Sequence, residues 1–143
     1  MAKSPRPRST PSTSPEPRLP RLPAQLKAAL SAAQDKKATA VTILDLRKTG
    51  AFTDFFLMCT GSNPRQVQAI ADGIEQALKH QKVRPTHVEG YERAEWILLD
   101  YFDFIVHVFS TQARQFYGLE RLWGNAVRHE VPEAGAPDRH ETA

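Results

Sequence analysis

The stretch VTILDLRKTGAFTDFFLMCTGSNPRQVQAI, residues 41–70, decides the fold. It contains two apolar runs, VTILDL (41–46) and FFLMCT (55–60), parted by a Lys48-Thr49-Gly50 turn. A strand with one wet face would alternate, whereas both runs are apolar at nearly every position. Such strands lie inside a sheet covered on both faces, which predicts α/β architecture rather than an open antiparallel sheet. The next residues start a helix: Asn63 can cap it, Pro64 suits its first position, and Gln66 stands where a capping box takes an amide. Val67, Ile70, Ala71, Ile74 and Leu78 then form one apolar stripe.

Toward the N-terminus, Leu26, Ala29, Leu30 and Ala33 recur at helical spacing from about Ala24. Toward the C-terminus, strands are expected around Thr86 to Glu89, Trp96 to Asp100 and Phe104 to Phe109. Ala113, Phe116, Leu119 and Trp123 then mark a last helix. The order α-β-β-α-β-β-β-α predicts a single α/β domain over residues 24–128, with a mixed, mostly five-stranded sheet flanked by helices. A Pro/Arg-rich arm, residues 1–23, precedes it, and a flexible polar tail, residues 129–143, follows. The arm holds seven of the eleven prolines and no hydrophobic periodicity, so it cannot bury enough apolar surface to offset its ordering entropy.

Charge is unevenly divided. The arm carries Lys3, Arg6, Arg8, Arg18 and Arg21 against Glu16, a balance of +4 within the chain's formal +3, which leaves the remainder at −1. The domain is therefore not a basic nucleic-acid binder, and any generic affinity for RNA or anionic lipid belongs to the arm. The single cysteine, Cys59, lies in an apolar run and reads as a small buried hydrophobe; it offers neither a disulfide framework nor a thiolate metal site. No apolar stretch approaches the roughly 18 residues of a membrane span, and the leader lacks a signal-like apolar core. The arm is Arg- and Ser-rich like a transit peptide, but its prolines would break an amphipathic helix, so a cytoplasmic location is expected.

Catalytic constellations are weak. Thr60-Gly61-Ser62-Asn63 before a helix could hold a phosphate, yet capping explains the same residues. Gly-Ser also resembles the opening motif of nucleotidyltransferases, where two carboxylates one residue apart on the next strand hold magnesium. Here the next acids, Asp72 and Glu75, sit on the helix, while Asp100 and Asp103 are divided by a bend. The five histidines make no metal-binding pair, and His107, between Val106 and Val108, reads as structural. Ser62 has no readable base partner. No catalytic residue, metal or cofactor is expected.

The segment from His87 to Asp103 stands apart. It gathers Glu89, Glu92, Glu95, Asp100 and Asp103 against Arg93, a local balance of −4. On a strand, Trp96, Leu98 and Asp100 share one face while Ile97, Leu99 and Tyr101 share the other. Whichever face is open then shows an aromatic residue beside carboxylates, the composition of a protein-binding hot spot. The plainer alternative keeps Trp96 and Trp123 in the core and the acids in water.

Linked blocks add a resemblance. Asp35-Lys36-Lys37-Ala38, Thr53-Asp54-Phe55-Phe56, Thr60-Gly61-Ser62-Asn63, Ala94-Glu95-Trp96-Ile97-Leu98-Leu99-Asp100-Tyr101, Val106-His107-Val108-Phe109 and Arg114-Gln115-Phe116-Tyr117 resemble, in order, those of the ribosomal silencing factor (RsfS, or Iojap) family over about residues 26–123. The resemblance implies a nucleotidyltransferase-like fold without transferase activity. It further implies a protein that binds the large ribosomal subunit through its fourteenth numbered protein and blocks joining of the small subunit, damping translation when nutrients are short. Organelle relatives act in large-subunit biogenesis. An acidic face suits a basic ribosomal protein and is repelled by phosphate. Trp96 and Tyr101 are expected to anchor beside Leu98. Asp100 and Asp103 should meet basic side chains, while Arg114, Phe116 and Tyr117 border the site.

The chain departs from the family at one point: Phe102 in Asp-Tyr-Phe-Asp stands where the family usually has glycine. If that turn needs positive φ, the phenylalanine carries strain. A nucleotidyltransferase-like enzyme, a large-subunit assembly factor and an RNA-binding module remain alternatives, and pairing of free chains into dimers stays open.

Overall fold

The computed structural model describes residues 22–132. Helix α1 (Ala24–Asp35) leads into strands β1 (Thr39–Asp45) and β2 (Phe55–Gly61), helix α2 (Pro64–Lys79), and strands β3 (His87–Glu89), β4 (Trp96–Asp100) and β5 (Phe104–Ser110). Two short helices, α3 (Thr111–Tyr117) and α4 (Leu119–Leu122), precede strand β6 (Val127–Glu130). The sheet order is β3-β4-β5-β2-β1-β6. β2 and β5 pair in parallel, and every other neighbouring pair is antiparallel.

The expected α/β fold is present, with three differences. Among the described residues the sheet has six strands. β6, which crosses the expected domain boundary at residue 128, adds Val127–Glu130 to the open edge of β1, and Val131, whose N–H donates to the Val41 carbonyl at 2.9 Å, enters the core. The ladder groups of β1 supply the reason for a strand in so polar a sequence: an edge left unpaired at a core strand is costly. Second, the last helix is divided at Gly118, which takes a left-handed φ of 54° and closes α3.

The third difference concerns the two faces. α1 and α2 cover one side, where Leu26, Ile70, Ile74 and Leu78 meet Ile43, Leu57, Ile97, Leu99, Val106 and Val108. Each such fully buried aliphatic side chain contributes about 1.5–3 kcal/mol. The opposite side carries Leu44, Phe56, Met58, Ile105 and Phe109, and among the described residues only α3 and α4 roof it. The continuous apolar runs predicted two covered faces; the second cover is partial, and it leaves β3 and β4 open.

Candidate functional site

The open face is built on β4. Ile97 and Leu99 are buried toward α2, while Trp96, Leu98 and Asp100 stand half-buried on the other side. Cross-strand pairing sets His87 beside Asp100 and Glu89 beside Leu98 on that face. The indole of Trp96 lies against Tyr117 at 4.7 Å and Phe109 at 5.1 Å between ring centroids, and its Nε1–H donates to His107 Nδ1 at 3.0 Å. α3 brings in the aromatic rim: Ser110 caps it through Oγ, which accepts from the Ala113 N–H, and the helix presents Phe116, 77% exposed, and Tyr117 at its end.

Two expected contact residues lie elsewhere. Tyr101 belongs with Ile97 and Leu99: it is buried on the α2 side, its ring stacked on Phe104 at 5.1 Å. Burial first, then the charge of Glu75, pushes its hydroxyl well above the usual phenol range. Strand parity is the reason, because Tyr101 is one residue beyond Asp100. Arg114 turns into the fold. Nη1 donates to the Ala40 carbonyl at 2.7 Å and to Thr60 Oγ1 at 3.0 Å; Nη2 donates to Thr42 Oγ1 at 3.1 Å and to Glu120 Oε2 at 2.8 Å. It clamps α3 to the irregular start of β1, where Ala40 has a φ of 48°.

Asp100 and Asp103 frame the β4–β5 turn. Asp100 Oδ1 accepts from the Phe102 N–H at 2.8 Å, and Oδ2 lies 3.9 Å from His87 Nδ1. Phe102 takes a φ of 73°, so the turn does use the left-handed region, at a cost of about 1–2 kcal/mol for a residue with a Cβ. Thr53 Oγ1 donates to the Phe102 carbonyl at 2.8 Å, and the Asp54 N–H donates to the Asp103 carbonyl at 3.0 Å. The stitched turns expose Phe102 (71%), marked in the sequence for its backbone alone, and Phe52 (87%), which was not marked. A phenylalanine in each of two short turns was the available signal.

The Gly-Ser corner is filled from within. Gln66 Oε1 accepts from the Ser62 N–H at 2.6 Å and from its hydroxyl at 2.9 Å, while Gln66 Nε2 donates to the carbonyls of Lys36 and Lys37. Asn63 Oδ1 accepts from the Gln66 N–H at 2.8 Å, so the cap is formed as expected, with the amide reaching one residue further back than in a simple capping box. Gly61 is needed for closeness: a Cβ there would lie 2.9 Å from Val67. Asp72 accepts from the Tyr91 hydroxyl at 3.0 Å. Burial pushes the Cys59 thiol up to about 12, leaving it unreactive. Among the described residues no three His, Cys, Asp or Glu side chains are grouped to hold a metal, and no helix is long and apolar enough to cross a membrane.

Comparison with known proteins adds identity to this geometry. The family described as "Ribosomal silencing factor during starvation" matches residues 20–143. Ribosomal silencing factor RsfS of Halalkalibacterium halodurans is 43% identical over 106 residues, covering 74% of this chain and 91% of that protein. The chloroplastic Iojap protein of Zea mays is 34% identical over 71% of this chain and 44% of its own length. A crystal structure from Bacillus halodurans superposes with a TM-score of 0.66 at 40% identity, covering 74% of this chain and 96% of that one. One from Chromobacterium violaceum gives 0.68 at 33% identity, over 79% and 94%. With fold, motif order and overall sequence in agreement, this chain belongs to the ribosomal silencing factor (RsfS/Iojap) family.

Proposed function

We propose that this chain represses translation by binding the large ribosomal subunit through a basic ribosomal protein, the fourteenth numbered one, and obstructing the small subunit. It works by occupancy, without turnover and without a cofactor, in the cytoplasm. One observation carries the reading: a half-buried tryptophan, fixed by its own hydrogen bond, lies on a sheet face left open among the described residues, beside Leu98 and Asp100 and with Phe116 and Tyr117 at its border. An aromatic anchor whose rotamer is already set loses little entropy on docking. The exposed carboxylates of Glu89, Glu95 and Asp103 favour a cationic protein and disfavour phosphate.

The site of the reading is revised from the sequence expectation in two members. Trp96, Leu98, Asp100, Asp103, Phe116 and Tyr117 remain as contacts; Tyr101 and Arg114 support them from inside.

The test is sedimentation of the full chain with separated ribosomal subunits, followed by a subunit-joining assay. Co-migration with the large subunit and slowed joining are expected. Partition to the small subunit, or joining at an unchanged rate with the chain in large excess, would refute it.

A further inference from the structure

The stitched turns at the far end of β4 hold a feature that the Trp96 face does not explain. Phe52 and Phe102 are strongly exposed on neighbouring loops joined by the Thr53–Phe102 and Asp54–Asp103 hydrogen bonds. Around them stand three carboxylates: Asp54 and Asp103, both exposed, and Asp100. Among the described residues neither Asp54 nor Asp103 forms an ion pair, and Asp100 has only the His87 ring at 3.9 Å. Arg47, paired with Asp45, is near enough to Asp54 to feel its charge but makes no ion pair with it. Large rings exposed beside such partly compensated carboxylates suit one class of occupant: a cation carrying apolar surface. The guanidinium of arginine meets that description, because it is weakly hydrated, lies flat on aromatic rings and forks onto carboxylates. Phosphate would be repelled, and a purely aliphatic partner would leave the carboxylates unpaired.

We infer that Phe52, Phe102 and Asp54 extend the docking face past Asp100 and Asp103, which border both parts, into a second seat that receives an arginine-bearing segment of the same basic partner. The inference rests on the proposed docking through Trp96 and extends it. Asp100, the nearest member of the seat, lies about 13 Å from Trp96 along β4, taking roughly 3.3 Å per residue, so a partner must span both. Contacts at Trp96 and at the loops beyond the other end of β4 fix orientation as well as affinity.

Phe102 supplies the discriminating experiment, since its backbone prefers glycine. The labelled full chain is titrated with purified large ribosomal subunits, comparing the parent with Phe102→Gly, Phe52→Ser, the pair together, and Trp96→Ala. Phe102→Gly is expected to keep or raise Tm while weakening binding about five-fold, and Phe52→Ser to weaken it similarly. A better-folded variant that binds worse cannot be attributed to structural damage. If Phe102→Gly lowers Tm instead, Phe52→Ser, which leaves the turn's backbone alone, decides. Unchanged affinity in both variants with a loss in Trp96→Ala would overturn the seat and spare the Trp96 face. Failure of the parent to bind large subunits would overturn both. A concentration-dependent dimer of the parent that the paired variant abolishes would assign the rings to a second copy of the chain and likewise end the proposal.

Discussion

The Trp96 indole donates its N–H to the Nδ1 of His107, and at 3.0 Å that bond requires an unprotonated acceptor nitrogen on a buried ring. The imidazole must therefore be neutral with its proton on Nε2. Burial, and secondarily the charge of Arg114, lowers His107 from its ordinary value to about 3. In the unfolded chain the ring takes its proton near pH 6.5. The folded value being the lower one, the stability contributed by the neutral ring is complete above pH 6.5 and is lost progressively as pH falls toward 3. Denaturant melts should show a loss of about 2 kcal/mol between pH 6.5 and pH 5 from this group. His107→Gln should flatten that part of the profile.

Trp96→Ala should weaken binding to the large subunit by about 2 kcal/mol or more if the indole is the anchor. Trp96→Phe separates its two roles, since it keeps the contacts with Tyr117 and Phe109 but leaves His107 Nδ1 without a donor. It should cost about 1–3 kcal/mol of folding stability and less affinity than alanine does. Titration calorimetry and urea melts of both variants check the split.

Arg114→Met should destabilise the domain by about 1–3 kcal/mol, because part-buried acceptors lose a charged donor. The change strands Glu120, keeping only the Arg128 contact at 3.4 Å, and leaves the Ala40 carbonyl and the Thr60 hydroxyl without this donor. If Arg114 were a partner contact instead, thermal melts would be unchanged and only affinity would fall.

Gly61→Ala and Gly50→Ala should differ in kind. At residue 61 an added Cβ would press on the Val67 side chain and backbone nitrogen, costing about 1–3 kcal/mol through overpacking. At residue 50 there is open space but a φ of 88°, so the cost, about 1 kcal/mol, is conformational alone. Val67→Ala should not rescue the first loss, since the Val67 nitrogen and Cα would still stand 2.9 and 3.1 Å from the added Cβ.

Much of this was legible in the chain itself, and the exceptions have physical causes. The stripe from Val67 to Leu78 gave α2, and alternation along Trp96 to Asp100 gave the two faces of β4. Alternation alone did not say which face opens, and the charge on Asp100 should have decided it, since Tyr101 shares its face with the uncharged Ile97 and Leu99. β6 left no apolar pattern because an exposed edge strand needs none; pairing with β1 across nearly ninety residues made it. Gly118 was a local signal for the break between α3 and α4. The inward turn of Arg114 had no local signal: its partners at Ala40, Thr42 and Thr60 come from distant parts of the chain.

Gln66 ties three places at once: its side chain holds Ser62 just past β2 and the carbonyls of Lys36 and Lys37 just past α1, while its backbone N–H donates to the Asn63 cap of α2. Any small anion seeking the crevice above Ser62 would have to evict an amide that the fold itself employs, and in doing so would loosen two helices. Opening an anion pocket here would thus demand surrender of a keystone first, an uphill step set by the fold itself.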